Sequence, residues 1–231
     1  MKAAVVVFPG SNCDIDCQRA FHEVTGIKPD LIWHKETSLV NYDFVILPGG
    51  FSFGDYLRTG SIARFSPVMA EVERLAKRGS QIIGICNGFQ ILTEAGLLPG
   101  ALLRNKGLHF ICKDIYLKVE SNQTVFTSEY SKGQVIKLPI AHADGNYQIS
   151  DEDYQRLVDR EGILLRYSDA NGNIIEEASP NGAKGNIAGI INEAGNVFGL
   201  MPHPERLAEN ILGGIDGRGI FQSMFNGRSG K

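Results

Sequence analysis

Three residues in this sequence have the types and surroundings to do chemistry together: a cysteine, a histidine and a glutamate. Cys86 lies in GICNGFQ (84–90), just after an apolar run and just before a helical one. A nucleophile at the tip of a strand-to-helix turn sits on a sharp bend, and small residues are needed two before and two after it. Gly84 and Gly88 fill those places, giving G-x-C-x-G, the thiol counterpart of the G-x-S-x-G elbow. The start of the following helix favours a thiolate, and its free N–H groups can hold an oxyanion, the Asn87 N–H among them. A small buried cysteine in a glycine-rich turn would give the same letters. The motif needs a base before it becomes a catalyst.

A thiol nucleophile takes its base from histidine, and the sequence has five: His22, His34, His109, His142 and His203. His22 falls in a helical stretch and reads as surface. His34 and His109 sit among mixed residues without a usable pattern. His142, in PIAHADGN, follows a strand and stays a secondary candidate. His203 stands in GLMPHPER (199–206), where Met201 and His203 each precede a proline and are pushed toward extended backbone. Residues two apart in an extended chain face the same side, so His203 and Glu205 point together. The carboxylate can then hold one ring nitrogen while the other faces the thiol, which is triad logic in the order Cys–His–Glu. The competing reading is a rigid Pro-x-Pro turn with surface charges.

A second bend, LPGGFSFGDY (47–56), follows another apolar run. Two consecutive glycines let a backbone turn its N–H groups into a cavity, so Gly50 or the peptide beside it is a candidate second oxyanion donor. An ordinary strand-ending turn would look the same.

The elements that must position these residues read as alternating strands and helices. AAVVVF (3–8), YDFVIL (42–47) and QIIGI (81–85) are apolar strand-like runs. Residues 14–25 read as helical. SIARFSPVMAEVERLAKRG (61–79) puts Ile62, Phe65, Met69, Val72 and Leu75 at helical spacing, with Gly79 as the stop. Strand, crossover helix and strand, with apolar strands throughout, predict an α/β fold with a mostly parallel central sheet covered on both faces. The second half alternates instead, at 114–120, 135–140 and 163–167, and 187–201 reads as a hairpin turning at 193–196. Antiparallel strands are therefore expected to extend the sheet. No linker or repeat divides residues 1–231, so one α/β domain is the economical expectation.

The totals exclude several classes. With 231 residues, 43% hydrophobic and 21% charged, the chain can bury a sizeable core. A net charge of -3 gives no reason to expect nucleic acid or an anionic membrane as partner. No apolar run is long enough to span a bilayer, and MKAAVVVFPG reads as a first strand and its turn rather than a secretory signal. The four cysteines make no disulfide framework. Cys13 and Cys17 have no second pair to complete a zinc site, and Cys112 stands alone. Free thiols in a reducing cytoplasm are the expectation, with no metal.

Taken together, GICNGFQ, LPGGFSFGD and MPHPER resemble the class I (triad) glutamine amidotransferases, a flavodoxin-like fold. The resemblance is closer to the PurQ-type glutaminase subunits and runs nearly end to end. It includes PGSNCDID (9–16), WHKETSL (33–39), PGGFSFGDYLRTGSIARF (48–65), CNGFQIL (86–92), GLLPGALLRN (96–105) and GNVFGLMPHPER (196–206). It implies Cys86 as nucleophile, His203 as general acid and base, and Glu205 as its orienting carboxylate. Gly50 and Asn87 would supply the oxyanion hole, and Gln90 would contact substrate. HADG (142–145) departs from the His-Gly-Glu-Gly of that pattern. The implied activity is hydrolysis of glutamine to glutamate and ammonia for the synthase of de novo purine biosynthesis that makes phosphoribosylformylglycinamidine. The implied partners are a large PurL-type synthetase subunit and a small PurS-type subunit. The resemblance also implies that the synthetase partner uses ATP and Mg; this chain lacks G-x-x-x-x-G-K-[ST], and no cofactor is expected on it. The alternatives are a free-standing cysteine hydrolase or peptidase of the related α/β superfamily, and a catalytically silent regulatory subunit or thiol redox sensor. The intact Cys86, His203 and Glu205 argue against silence.

Overall fold

Apolar runs with no polar face must be covered on both sides, and they form the centre of the molecule. Strands β1 (Ala3–Val7), β3 (Phe44–Leu47) and β4 (Gln81–Ile85) are almost wholly buried. With β2 (Asp30–Trp33) and β11 (Val197–Leu200) they make a parallel block in the order β2-β1-β3-β4-β11. This is the parallel sheet that the alternating elements predict. The computed structural model describes residues 1–229; Gly230 and Lys231, the end of the expected 1–231 domain, lie outside the described residues.

Past β11 the sheet continues antiparallel through β10 (Ile187–Ile191), β9 (Ile163–Ser168), β6 (Ile111–Val119) and β7 (Val135–His142), making nine strands. β5 (Ala101–Leu103) and β8 (Asn146–Gln148) pair separately. The alternating stretches of the second half thus extend the sheet, and the β10–β11 hairpin turns within the predicted 193–196.

Helix α1 (Asp14–Thr25) buries Cys17, Ala20, Phe21 and Val24 and ends on Gly26 at φ 76. Helix α2 (Pro67–Lys77) is shorter than the predicted 61–79 stretch. Pro67 has no N–H to donate and holds Ser66 extended at ψ 139, so the helix can only begin there. Residues 63–65 form a separate turn, and Phe65 is exposed rather than on the packed face. Val68, Met69, Val72 and Leu75 are the buried face. Helix α3 (Asn87–Glu94) follows β4 directly, while α4 (Asp151–Asp159) and α5 (Arg218–Ser229) complete the set. No described helix is long and apolar enough to cross a membrane.

Candidate active site

The bend at Cys86 is as tight as its glycines imply. Cys86 sits between β4 and α3 at φ 50, ψ -104, a conformation costly for a residue with a side chain. A Cβ on Gly84 would meet Leu92 at 2.5 Å and the Gly88 backbone at 2.6 Å. A Cβ on Gly88 would run into the Leu47 carbonyl of β3. Both positions therefore exclude any larger residue. The Cys86 side chain is almost fully buried. Its thiol donates a long hydrogen bond to the Ala141 carbonyl, 3.8 Å away.

Sheet register brings the base to the same edge. β4 pairs with β11 as Ile85↔Leu200, and the Cys86 N–H donates to the Leu200 carbonyl at 2.8 Å. His203 follows three residues later, its N–H held by the Pro139 carbonyl at 2.9 Å. Its Nδ1 donates to Glu205 Oε1 at 2.6 Å, with both residues 2% exposed. The predicted pairing thus forms, but by another route. Glu205 lies in a tight 3-10 turn, Pro204–Leu207, rather than in extended chain, and that turn swings the carboxylate back under the ring. Burial opposes a charge on His203, yet Glu205 and then Cys86 favour the imidazolium and hold it well above its ordinary value. Nε2 is buried and makes no hydrogen bond. A thiol, an imidazole and a buried carboxylate in this order can pass a proton between sulfur and ring while the ring stays oriented.

The 47–56 loop closes on the same point. A Cβ on Gly49 would meet His203 Cε1 at 2.8 Å, so the glycine lets backbone lie against the imidazole. Gly50 has φ 152 and packs so tightly that a Cβ would lie 2.7 Å from both the Gly10 carbonyl and Ser11 Cα. The Phe51 N–H donates to Gly10 at 2.9 Å and the Ser52 N–H to Asn87 Oδ1 at 3.2 Å. Gly50 is accordingly the donor of this loop that the oxyanion expectation rests on. Asp55, on the same loop, is pushed up to about 6 by burial and then by Asp144.

Gln90 lies one turn beyond Cys86. Its Oε1 accepts from Asn87 Nδ2 at 2.8 Å and its Nε2 donates to the Asp144 carbonyl at 2.7 Å. The side chain expected to face substrate is thus already tied to the 142–145 turn, with one N–H left over.

Cys13 at the site is not anticipated by the sequence, whereas His142 is its secondary candidate. Cys13 is fully buried; its sulfur accepts from Arg206 at 3.0 Å and lies 4.0 Å from His203 Nδ1. Cys13, His203 and Glu205 donor atoms fall within 4.8 Å of one another. The guanidinium engages the thiol and the carboxylate holds the ring N–H, an arrangement unfriendly to a cation. The signal was PGSNCD following β1, because the turn after a parallel strand opens at the carboxyl edge. His142 is buried beside the site and held neutral, its imidazole pushed down to about 4 by burial and by His203. The remaining histidines lie elsewhere: His22 and His109 are exposed, and His34 is buried against Ser66 at 3.2 Å. All four cysteines are free, with Cys112 exposed on β6.

Comparison with known proteins places the chain in a family. The CobB/CobQ-like glutamine amidotransferase domain matches residues 1–217. The phosphoribosylformylglycinamidine synthase subunit PurQ of Salinibacter ruber is 55% identical over 97% of this chain and 96% of its own length. That of Pseudothermotoga lettingae is 56% identical over 97% and 94%. A chain in the structure of PurLQS from Thermotoga maritima superposes with a TM-score of 0.86 at 47% identity, covering 97% of each. The chain belongs to the CobB/CobQ-like glutamine amidotransferase family and, within it, to the PurQ subunits of phosphoribosylformylglycinamidine synthase.

Proposed function

We propose that the chain is the glutaminase of phosphoribosylformylglycinamidine synthase, acting through Cys86, His203 and Glu205. The observation that carries the residue assignment is the buried 2.6 Å pair of His203 and Glu205 at the strand edge that also bears the strained Cys86 bend.

In this mechanism the Cys86 proton moves to His203, and the sulfur attacks the side-chain amide carbon of glutamine. A C–S bond forms and the carbonyl electrons move to oxygen, held by the N–H groups of Gly50 and Asn87. As the oxyanion collapses the C–N bond breaks, and His203 gives its proton to the departing ammonia. A glutamyl thioester remains. His203 then takes a proton from water, the hydroxide adds, and the C–S bond breaks to release glutamate and regenerate the thiol. Glu205 holds the Nδ1–H throughout, fixing the ring and favouring the imidazolium.

The ammonia goes to a PurL-type synthetase, the partner named in the PurLQS assembly of the related chain. A small PurS-type subunit completes the proposed complex. ATP and Mg would act in the synthetase, making the glycinamide carbonyl of phosphoribosylformylglycinamide reactive toward ammonia; this chain would bind neither. A cytoplasmic location is part of the proposal, in keeping with four free thiols. The test is glutamine hydrolysis with and without the synthetase, comparing the parent with Cys86→Ala. Partner-stimulated glutamate release, lost in Cys86→Ala, is the expected result. A parent indifferent to the partner would favour a free-standing hydrolase.

A further inference from the structure

The mechanism uses only the backbone N–H of Asn87, yet the side chain of this residue is 1% exposed and fully engaged. The Ser52 N–H donates to Asn87 Oδ1 at 3.2 Å, Asn87 Nδ2 donates to Gln90 Oε1 at 2.8 Å, and Gln90 Nε2 donates to the Asp144 carbonyl at 2.7 Å. The chain starts on a backbone donor and ends on a backbone acceptor, neither of which can reverse. Both amides are therefore locked in one orientation. This strap joins three segments around Cys86: the loop carrying Gly50, the elbow itself, and the turn that follows Ala141, whose carbonyl accepts from the thiol.

The loop needs such a hold. Phe53, Asp55 and Leu57 stand at φ 54, 55 and 67, left-handed values that side chains disfavour. A strained segment persists only where its surroundings over-determine it. The Ser52 N–H, two residues beyond Gly50, is the point where the elbow grips this loop.

We propose that Asn87 is a positioning residue whose side chain holds the Gly50 loop against the elbow, keeping the Gly50 and Asn87 N–H groups at the spacing an oxyanion requires. Gln90 passes the same constraint to the 142–145 turn. The inference rests on the proposed oxyanion role of those two N–H groups and deepens it. A donor held slightly out of place loses transition-state stabilisation while ground-state binding changes little.

The experiment uses the complete synthase with Asn87→Ala and Asn87→Asp. Alkylation of Cys86 by iodoacetamide forms no oxyanion, so it reports thiol access and reactivity apart from the strap. Asn87→Ala should lower kcat for glutamine hydrolysis roughly tenfold or more, with KM within about threefold and the alkylation rate within about twofold of the parent. Asn87→Asp can accept from Ser52 but cannot donate to Gln90 until its carboxyl is protonated. Buried at this 1% exposed position, the new carboxyl is raised above its ordinary value, so kcat relative to the parent should rise as pH falls from about 8 to about 5. A kcat within about twofold of the parent in both variants would overturn the proposal, as would alkylation falling in step with kcat. If Asn87→Ala does not fold, the pH dependence of Asn87→Asp decides: a flat ratio overturns the strap. Cys86→Ala turning over at the parent rate would instead remove the underlying reading, a separate outcome.

Discussion

Glu205 Oε1 accepts from His203 Nδ1 at 2.6 Å, although the two residues are only two apart and a proline lies between them. The turn Pro204–Leu207 makes the contact possible, and burial of both side chains makes it matter. A carboxylate closed off from water is tolerable only beside a compensating charge. His203 supplies it, and Arg206 approaches the same oxygen at 3.8 Å.

Replacing that carboxylate gives the first prediction. Burial alone would lower the His203 value, but Glu205, and then Cys86, raise it well above the ordinary one. A histidine raised on folding contributes stability that is complete below its unfolded value, about 6.5, and is lost as pH rises through the folded value. Glu205→Gln should remove that contribution, so the alkaline decline in melting temperature expected of the parent flattens. Its kcat should fall by about 100-fold or more, because the ring loses both orientation and charge support. Thermal melts across pH, with glutaminase assays, measure both.

The elbow gives the second. Gly88→Ala would drive a Cβ into the Leu47 carbonyl, backbone that β3 holds in the middle of the sheet. Neither partner can yield, so the substitution should destabilise the fold by about 3 kcal/mol or more. Gly79→Ala is the control for glycine replacement: Gly79 has positive φ, 84, which Gly88 does not, but nothing within 4 Å of its Cβ. It should cost clearly less in urea unfolding.

The third concerns His142. Burial, and then the charge of His203, push its imidazole down to about 4. Folding therefore disfavours its proton, and the associated stability is complete above the unfolded value near 6.5. It is lost as pH falls toward the folded value of about 4, a change on the order of 3 kcal/mol across the window. His142→Asn should show a shallower loss of urea stability than the parent between those limits. Equal slopes would show that another group drives the acid transition.

Much of the site could be read from the chain because its demands are local. The Gly84–Cys86–Gly88 frame is set by contacts within one turn and one neighbouring strand. The apolar runs that become β1, β3 and β4 carry their burial in their composition. Reading was less accurate where one residue overrides periodicity. Ile62 and Phe65 keep helical spacing with Met69, yet Pro67 starts the helix after them and leaves Phe65 exposed. The His203–Glu205 contact was foreseen on a false premise, since a 3-10 turn rather than extended chain creates it. Cys13 was invisible as a site residue because its neighbours Arg206 and His203 come from the opposite end of the sequence. Only the order β1-β3-β4-β11 at one sheet edge gathers them. The Asn87 side chain was missed for a related reason: its partners Ser52 and Asp144, through Gln90, lie on separate loops.

The proposed glutamine hydrolysis turns on a covalent step at one sulfur. Its most direct measurement is acid quenching of the synthase during turnover with glutamine, followed by mass analysis of the peptide containing residues 81–96. The prediction is a glutamyl adduct on Cys86 that disappears when substrate is exhausted and never forms in Cys86→Ala. Glutamate production by Cys86→Ala at the parent rate, or an adduct carried by another residue, would contradict it.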